Sequence, residues 1–574
     1  MDNLQTLLER KVKTALTKAL GEEFDVEITQ STQPQFGDYQ CNSALKIGKQ
    51  LGKNPREIAS KTVAAFDCGD LVSKIDVAGP GFINFTINPK FLESQLSTIL
   101  KDSRLGVAPV LPQKIIVEFS SPNVAKELHV GHLRSTIIGD ALARVFEFLG
   151  HDVLRLNHIG DWGTQFGMLI AFMREHHADV LVGKKKADLS QLMGWYRAAK
   201  EQFDKDPEFK KRAQLAVVKL QGGDEAALAA WEMICAISRK GFQEIYDLLD
   251  VKIEERGESF YNPVLPAVVT DLEKRGMITL SEGAKCIYLE GFEGQGGKPL
   301  PIIIQKSDGG YNYDTTDMAA IRQRIEEERA DRIIYVVDAG QGLHFQMLFK
   351  AAEKAGYLDP KKTHAEHVAF GVVLGPDGKK FKTRSGQTEK LIDLLLEATT
   401  HARKILQERL PDATESELTE MAQVLGIDAV KYADLSCHRI KDYLFSYERM
   451  LRFEGNTAAF LLYAYVRIQS IKRKVGKEIS AIKAPIELQH PTEIALALHL
   501  RQFGETLDVV AQDLIPHRLA EYLYNLAEKF HAFFRDCRVE GDPKEESRLL
   551  LCEVTGRILK QGLEILGLKT LQRM

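Results

Sequence analysis

The residues richest in chemistry fall in one short stretch, Pro122-Asn-Val-Ala-Lys-Glu-Leu-His-Val-Gly-His132. His129 and His132 flank Gly131, and Lys126 stands three residues before the first imidazole. An apolar, β-branched run at 115–119 precedes the stretch. Residues 133–149 follow it with apolar side chains every three or four positions, so the order reads strand, tight loop, helix. Backbone N–H groups and the dipole at a helix start favour an anion, and two imidazoles there suit phosphate. Gly131 would let a flat base or ribose approach the backbone. Taken alone, the two histidines could equally do no more than cap the helix.

Two other places carry residues suited to nucleic acid. Between 453 and 474 aromatic and basic side chains interleave, among them Tyr463 and Arg467. They read either as core aromatics beside a solvated basic face or as a platform that stacks and neutralises RNA. After the turn at 79–81, Phe82, Asn84 and Thr86 alternate with Ile83, Phe85 and Ile87, so one face of a strand packs and the other is expected to be free. A free Phe82 and Asn84 could stack on and hydrogen-bond an unpaired base, or could simply lie under nearby helices.

His129-Val-Gly-His132 resembles the His-Ile-Gly-His signature of class I aminoacyl-tRNA synthetases, and the run from 121 to 136 is similar to arginyl-tRNA synthetases in particular. The resemblance extends over essentially the whole chain and is most specific at 118–136, 158–167, 310–317 and 431–443.

That family resemblance implies an arginine–tRNA ligase. Such an enzyme makes arginyl-adenylate and pyrophosphate from arginine and ATP, then passes arginine to the 3′ end of tRNA(Arg). ATP would enter with Mg2+ as a substrate complex, with no tightly held protein metal, and the enzyme would be a cytoplasmic monomer. His129, Gly131 and His132 would serve the nucleotide. The second phosphate element would be the basic loop 375–386, with Lys382 and Arg384. If 381–385 align with the Lys-Met-Ser-Lys-Ser pattern of the class, Phe381 replaces its first lysine and Arg384 its second, so Lys126 becomes the candidate to supply the missing charge. Arginine is always charged and pairs best with acids, which points to Glu118, Glu258 and Asp317. By the same resemblance Glu118, Asn123 and Gln341 hold the α-amino and carboxylate end, and Tyr313 and Asp317 lie beside the side chain. Phe82 and Asn84 match a tRNA-contacting strand, and Tyr463 and Arg467 fall in the anticodon-binding domain.

The elements needed to position these groups are legible. At 574 residues the chain should hold several domains, since single cores rarely exceed about 250–300 residues. An apolar content of 44%, a charged content of 27% and a net charge of −4 describe an ordinary globular protein that would not coat nucleic acid indiscriminately. The seven cysteines have neither zinc-site nor redox-pair spacing, and no apolar run approaches the roughly 20 residues of a membrane helix. We expect an N-terminal α+β domain over 1–110 and a C-terminal all-helical domain over 391–574. Between them, 111–390 should form a doubly wound, Rossmann-like parallel sheet, interrupted by a helical insertion at about 171–255 and continued by strands at 286–290, 301–305, 332–338 and 367–374. Trp162 could wall the site or plug the underside of the sheet. Two rival readings differ in what they require. A small-molecule nucleotidyltransferase shares the H-x-G-H loop but needs neither terminal domain, and a non-catalytic RNA-binding relative would be favoured by loss of His129, His132 or Asp317, all of which are present.

Overall fold

The computed structural model describes residues 1–294, 296–375, 377–379 and 390–574. Residues 111–405 and 418–450 make one compact unit, and residues 1–110, 406–417 and 451–574 make another.

The first of these units is built on five parallel strands in the order His364–His367, Arg332–Tyr335, Lys114–Glu118, Asp152–Asn157, Glu254–Glu255. Ile115, Ile116 and Val117 of the central strand are wholly buried, as a β-branched run covered on both faces requires. From that strand the chain passes through the helix Val130–Leu149 to Asp152–Asn157 on one side, and only later supplies Arg332–Tyr335 on the other. The order therefore reverses at Glu118, the carboxyl end of the central strand, where open α/β sheets form their ligand crevice. Ile116, Leu156 and Ile333 share a core with Met318 and Ile321 of the helix Tyr313–Glu326 and Leu348 of the helix Gly342–Lys354.

Two strands expected in this sheet lie elsewhere. Ala284–Glu293 and Pro299–Gln305 pair antiparallel with each other and, with Thr279–Ser281, form a separate three-stranded sheet. Their connection is a few residues long, enough for a hairpin, whereas parallel neighbours need a crossover of about a dozen or more. The run expected at 367–374 also divides. His364–His367 stays in the sheet, while Val373–Leu374 pairs with Tyr443–Leu444, because Gly371 N–H donates to Arg439 O and Val372 N–H to the Asp442 carboxylate.

The helical insertion has its own core. Phe166, Leu169 and Met173 meet Leu192, Leu220 and Ile234 there, and Trp162 packs against that core, edge-on to Trp231, rather than under the sheet. Residues 418–450 join this unit through Arg134 of the helix Val130–Leu149. Its buried guanidinium pairs with Asp434 at 3.0 Å and donates to the carbonyl of Lys441.

In the other unit, an antiparallel sheet runs in the order Ile28–Gln30, Tyr39–Cys41, Phe82–Ile87, Val72–Ala78. The terminal helices are Ala458–Val475, Pro491–Arg501, Phe503–Asp513, His517–Asp536 and Glu545–Ile565. Arg557 of the last helix donates to the carbonyls of Leu100 and Asp102, so the N-terminal segment and the terminal helices are hydrogen-bonded within one body.

Candidate functional site

The helix Val130–Leu149 starts with His129 as its N-cap. His129 Nδ1 accepts the N–H of Gly131 and His132 Nδ1 accepts the N–H of His129, each at 3.1 Å, a capping box built from two imidazoles. Capping and phosphate binding are thus compatible. With Nδ1 occupied as an acceptor, each neutral ring carries its proton on Nε2 and can donate it to an oxyanion. Burial, helped by the nearby Lys126 charge, lowers His129 below the usual imidazole range. Burial, then His129, then Lys126 push His132 down to about 3. Both rings are therefore neutral donors at ordinary pH. Gly131 is needed for this arrangement, since a Cβ there would lie 2.9 Å from Cε1 of His129.

The loop before the histidines is strained. Ser120, Ser121 and Ala125 have φ of 67°, 46° and 60°, a left-handed region that costs a non-glycine residue on the order of 1–3 kcal/mol. Side chains from elsewhere in the unit hold it. Ser135 Oγ accepts from Ser120 N–H, Asn157 Oδ1 from Ser121 N–H, and Ser238 Oγ from Ala125 N–H.

Three loops are laced together beside it. Val124 N–H donates to Gly160 O and Gly160 N–H to Pro122 O, with Asn123 so close that a Cβ on Gly160 would stand 2.1 Å from its Oδ1. Glu258 N–H donates to Ile159 O, and buried Asp161 accepts both the N–H and the hydroxyl of Ser259. This lacing places Glu258 near two other acids. Burial first, then the charges of Asp317 and Asp161, push its carboxyl up to about 7. Asp317 Oδ2 lies 2.7 Å from His344 Nε2, and its Oδ1 lies 3.9 Å from His158 Nε2. Tyr313 stands one helical turn before Asp317, half exposed, its ring edge-on to His344. Such a pocket stores unbalanced negative charge and suits a cation with several N–H donors.

The other expected residues are distributed as follows. Glu118 is 6% exposed and already faces a guanidinium of its own chain, the wholly buried Arg324, at 2.5 Å. Gln341 ends the exposed turn Ala339–Gln341, directly before the helix that carries His344. Phe381, Lys382 and Arg384 lie outside the described residues. Lys126 is exposed, and its charge bears on both histidines. Asp161, His158, His344 and Arg324 stand beside these residues and were not named among the site candidates. His158 and Asp161 lie within 158–167, where the family resemblance is among the most specific, and His344 stands three residues past Gln341 at a helix start.

In the other unit Phe82 is half-buried, but Asn84 is not free as expected. It is 5% exposed and its Oδ1 accepts from Gln40, because the strand lies in the interior of its sheet and long neighbours cover it. Phe460 and Tyr465 are core residues, whereas Tyr463 and Arg467 line a cavity of about 470 Å³ with Lys474, Phe534 and Arg538. The Arg467 guanidinium donates to the Tyr463 hydroxyl and lies 4.9 Å from the Phe534 ring centre.

Comparison with known proteins agrees along the whole chain. Residues 3–87 match the arginyl tRNA synthetase N terminal domain, 95–447 the catalytic domain of tRNA synthetases class I (R), and 461–574 the DALR anticodon binding domain. The arginine–tRNA ligase of Protochlamydia amoebophila is 61% identical, the match covering 97% of this chain and 96% of that one. That of Chlamydia pneumoniae is 52% identical over the full length of both. Among solved structures, the arginyl-tRNA synthetases of Plasmodium falciparum (34% identical, TM-score 0.87) and Thermus thermophilus (25%, TM-score 0.80) superpose with complete coverage of both chains.

Proposed function

We infer the division of labour in this site from one premise: the chain belongs to the arginyl-tRNA synthetase family. It is an ATP-dependent arginine–tRNA ligase. In adenylation an arginine carboxylate oxygen attacks the α-phosphorus, the bond to the pyrophosphate oxygen breaks, and arginyl-adenylate remains. A tRNA 3′-terminal hydroxyl then attacks the carbonyl carbon and AMP leaves. The protein's task is positioning and electrostatic stabilisation rather than covalent chemistry.

The Nε2–H groups of His129 and His132 donate to phosphate oxygens, and Gly131 leaves room for the nucleotide. Lys126 meets the charge that develops on departing pyrophosphate, together with Lys382 and Arg384 of the basic loop. ATP enters with Mg2+ on its phosphates. Glu258, Asp317 and Tyr313 receive the guanidinium, and Asn123, Gln341 and the free oxygen of Glu118 receive the α-amino and carboxylate end. Phe82 touches tRNA(Arg) at one end, and Tyr463 with Arg467 stacks on and neutralises its anticodon region. Because Asn84 is covered, Phe82 is the principal contact on its strand. The N-terminal domain ends at about 110, the anticodon-binding helices begin after 450 rather than at about 390 because 391–405 and 418–450 belong to the catalytic unit, and the enzyme works in the cytoplasm as a monomer.

The observation that carries the substrate assignment is the crowding of Glu258, Asp317 and Asp161 in one partly desolvated pocket, a cost that a bound cation removes. Charging of total tRNA with each of the twenty amino acids in turn tests the function. Arginine alone should be esterified, and a different amino acid would overturn the reading.

A further inference from the structure

His344 has no role in the division of labour above, yet it stands between two acids of the cation pocket. Its Nε2 lies 2.7 Å from Asp317 Oδ2, and its Nδ1 lies 3.4 Å from Asp314 Oδ1. A neutral imidazole has one donor and one acceptor, so only the doubly protonated ring can serve a carboxylate at each nitrogen. Asp314 is itself anchored. It is 8% exposed, and its Oδ2 accepts from Ile303 N–H and from the Asn312 amide, each at 3.3 Å. The result is a strut from the strand Pro299–Gln305 through Asp314 and His344 to Asp317.

What else faces the ring is limited. Tyr313 and Phe345 present ring edges at 5.3 Å. His158 approaches Asp317 on its other oxygen at 3.9 Å, and Glu258 bears on Asp317 through its charge. Burial disfavours charge on His344, but Asp314 and Asp317 outweigh it and lift the ring to about 9.

We propose that His344, as an imidazolium, is a positioning residue that fixes the Asp317 carboxylate by one oxygen and leaves Oδ1 aimed at the incoming guanidinium. A carboxylate on a lone side chain rotates freely about its last torsion, and ordering it on binding weakens affinity. The strut removes that freedom in advance. It also separates the two charges that each acid could otherwise turn toward the substrate, so a guanidinium meets a single oriented oxygen from Asp317. The proposal rests on the reading of this pocket as the arginine site.

Arginine-dependent ATP–pyrophosphate exchange in the presence of tRNA, run on the full chain, tests it with His344→Gln, His344→Ala, Asp317→Asn and the double variant H344A/D317N. Loss of one charge-assisted hydrogen bond corresponds to roughly tenfold or more. Each His344 variant should therefore raise the arginine KM by at least about tenfold while the ATP KM stays within about twofold, which also reports an intact fold. If His344 acts only through Asp317, the double variant should be no worse than D317N alone. An unchanged arginine KM overturns the proposal. So does a lowered one, which would make the imidazolium a competitor of the guanidinium, and so does full additivity. An Asp317→Asn protein with an unaltered arginine KM would instead overturn the pocket assignment itself.

Discussion

The hydroxyl of Tyr39 bonds both carboxylate oxygens of Glu505, at 2.9 and 3.0 Å, so a strand of the N-terminal sheet ends on a buried acid of the terminal helices. Glu505 also accepts from Gln5 N–H and the Gln30 amide, and Gln502 donates to the same Tyr39 oxygen. Glu505→Ala would leave the buried Tyr39 hydroxyl, the part-buried Gln5 N–H and the Gln30 amide without this acceptor. We expect a loss of about 2–5 kcal/mol by denaturant unfolding, together with faster amide exchange over 28–41, and a smaller loss for Glu505→Gln. Equal stability of the Glu505→Ala protein and the parent would show that the network contributes nothing net.

In the proposed mechanism His129 and His132 act as neutral donors. Removing either ring, by His129→Ala or His132→Ala, should slow adenylation by about 10²–10³-fold with little change in arginine KM. Because burial holds both rings below the ordinary imidazole range and His132 at about 3, protonation of His132 should not limit the rate between pH 6 and 8. A rate that climbs with a histidine-like midpoint near 6.5, and loses that midpoint in the His132 variant, would contradict this.

Glu258 supplies a pH signature of opposite character. Burial and the two neighbouring acids hold its carboxyl up to about 7, and a bound guanidinium must lower it, so below that pH arginine binding releases a proton. The arginine KM should therefore rise by up to about tenfold per pH unit as pH falls below 7, flatten above 8, and lose this dependence in Glu258→Gln, while the ATP KM does not follow it. Identical profiles in the parent and the Gln variant would assign the effect elsewhere.

Lys126→Ala should lower the adenylation rate by about 10²–10³-fold, since one preorganised cation near the departing pyrophosphate is lost. It should also let both histidines titrate higher, because the Lys126 charge is among the causes that hold them down. Phe381→Lys should restore part of the rate. Near-parental adenylation by the Lys126→Ala protein, or no rescue, would remove Lys126 from the site.

For the RNA face, Arg467→Ala should weaken tRNA binding and reduce the slope of log K against log salt by about one, with ATP affinity unchanged. Phe82→Ala should weaken binding with little change in salt slope, since it removes stacking rather than charge. Filter binding across a salt series distinguishes the two.

The local arrangements were readable from the order of residues alone. The spacing of His129, Gly131 and His132 at a helix start, the one-turn step from Tyr313 to Asp317, the helical insertion and the all-helical close are set by neighbours within a few residues, where the chain's own periodicity decides which side chains share a face. Covalent nearness made those relationships readable. The packed fold sets what each polar group meets. His344 reaches Asp317 across 27 positions, Arg324 takes one oxygen of Glu118, and Gln40 covers Asn84. It also decided that 284–293 and 299–305 form a sheet of their own, and that 418–450 packs with the parallel sheet through Arg134 and Asp434. The charge state of Glu258 depends on burial and on two acids brought by separate loops, and desolvation is a property of what covers a group, which no spacing along the chain records.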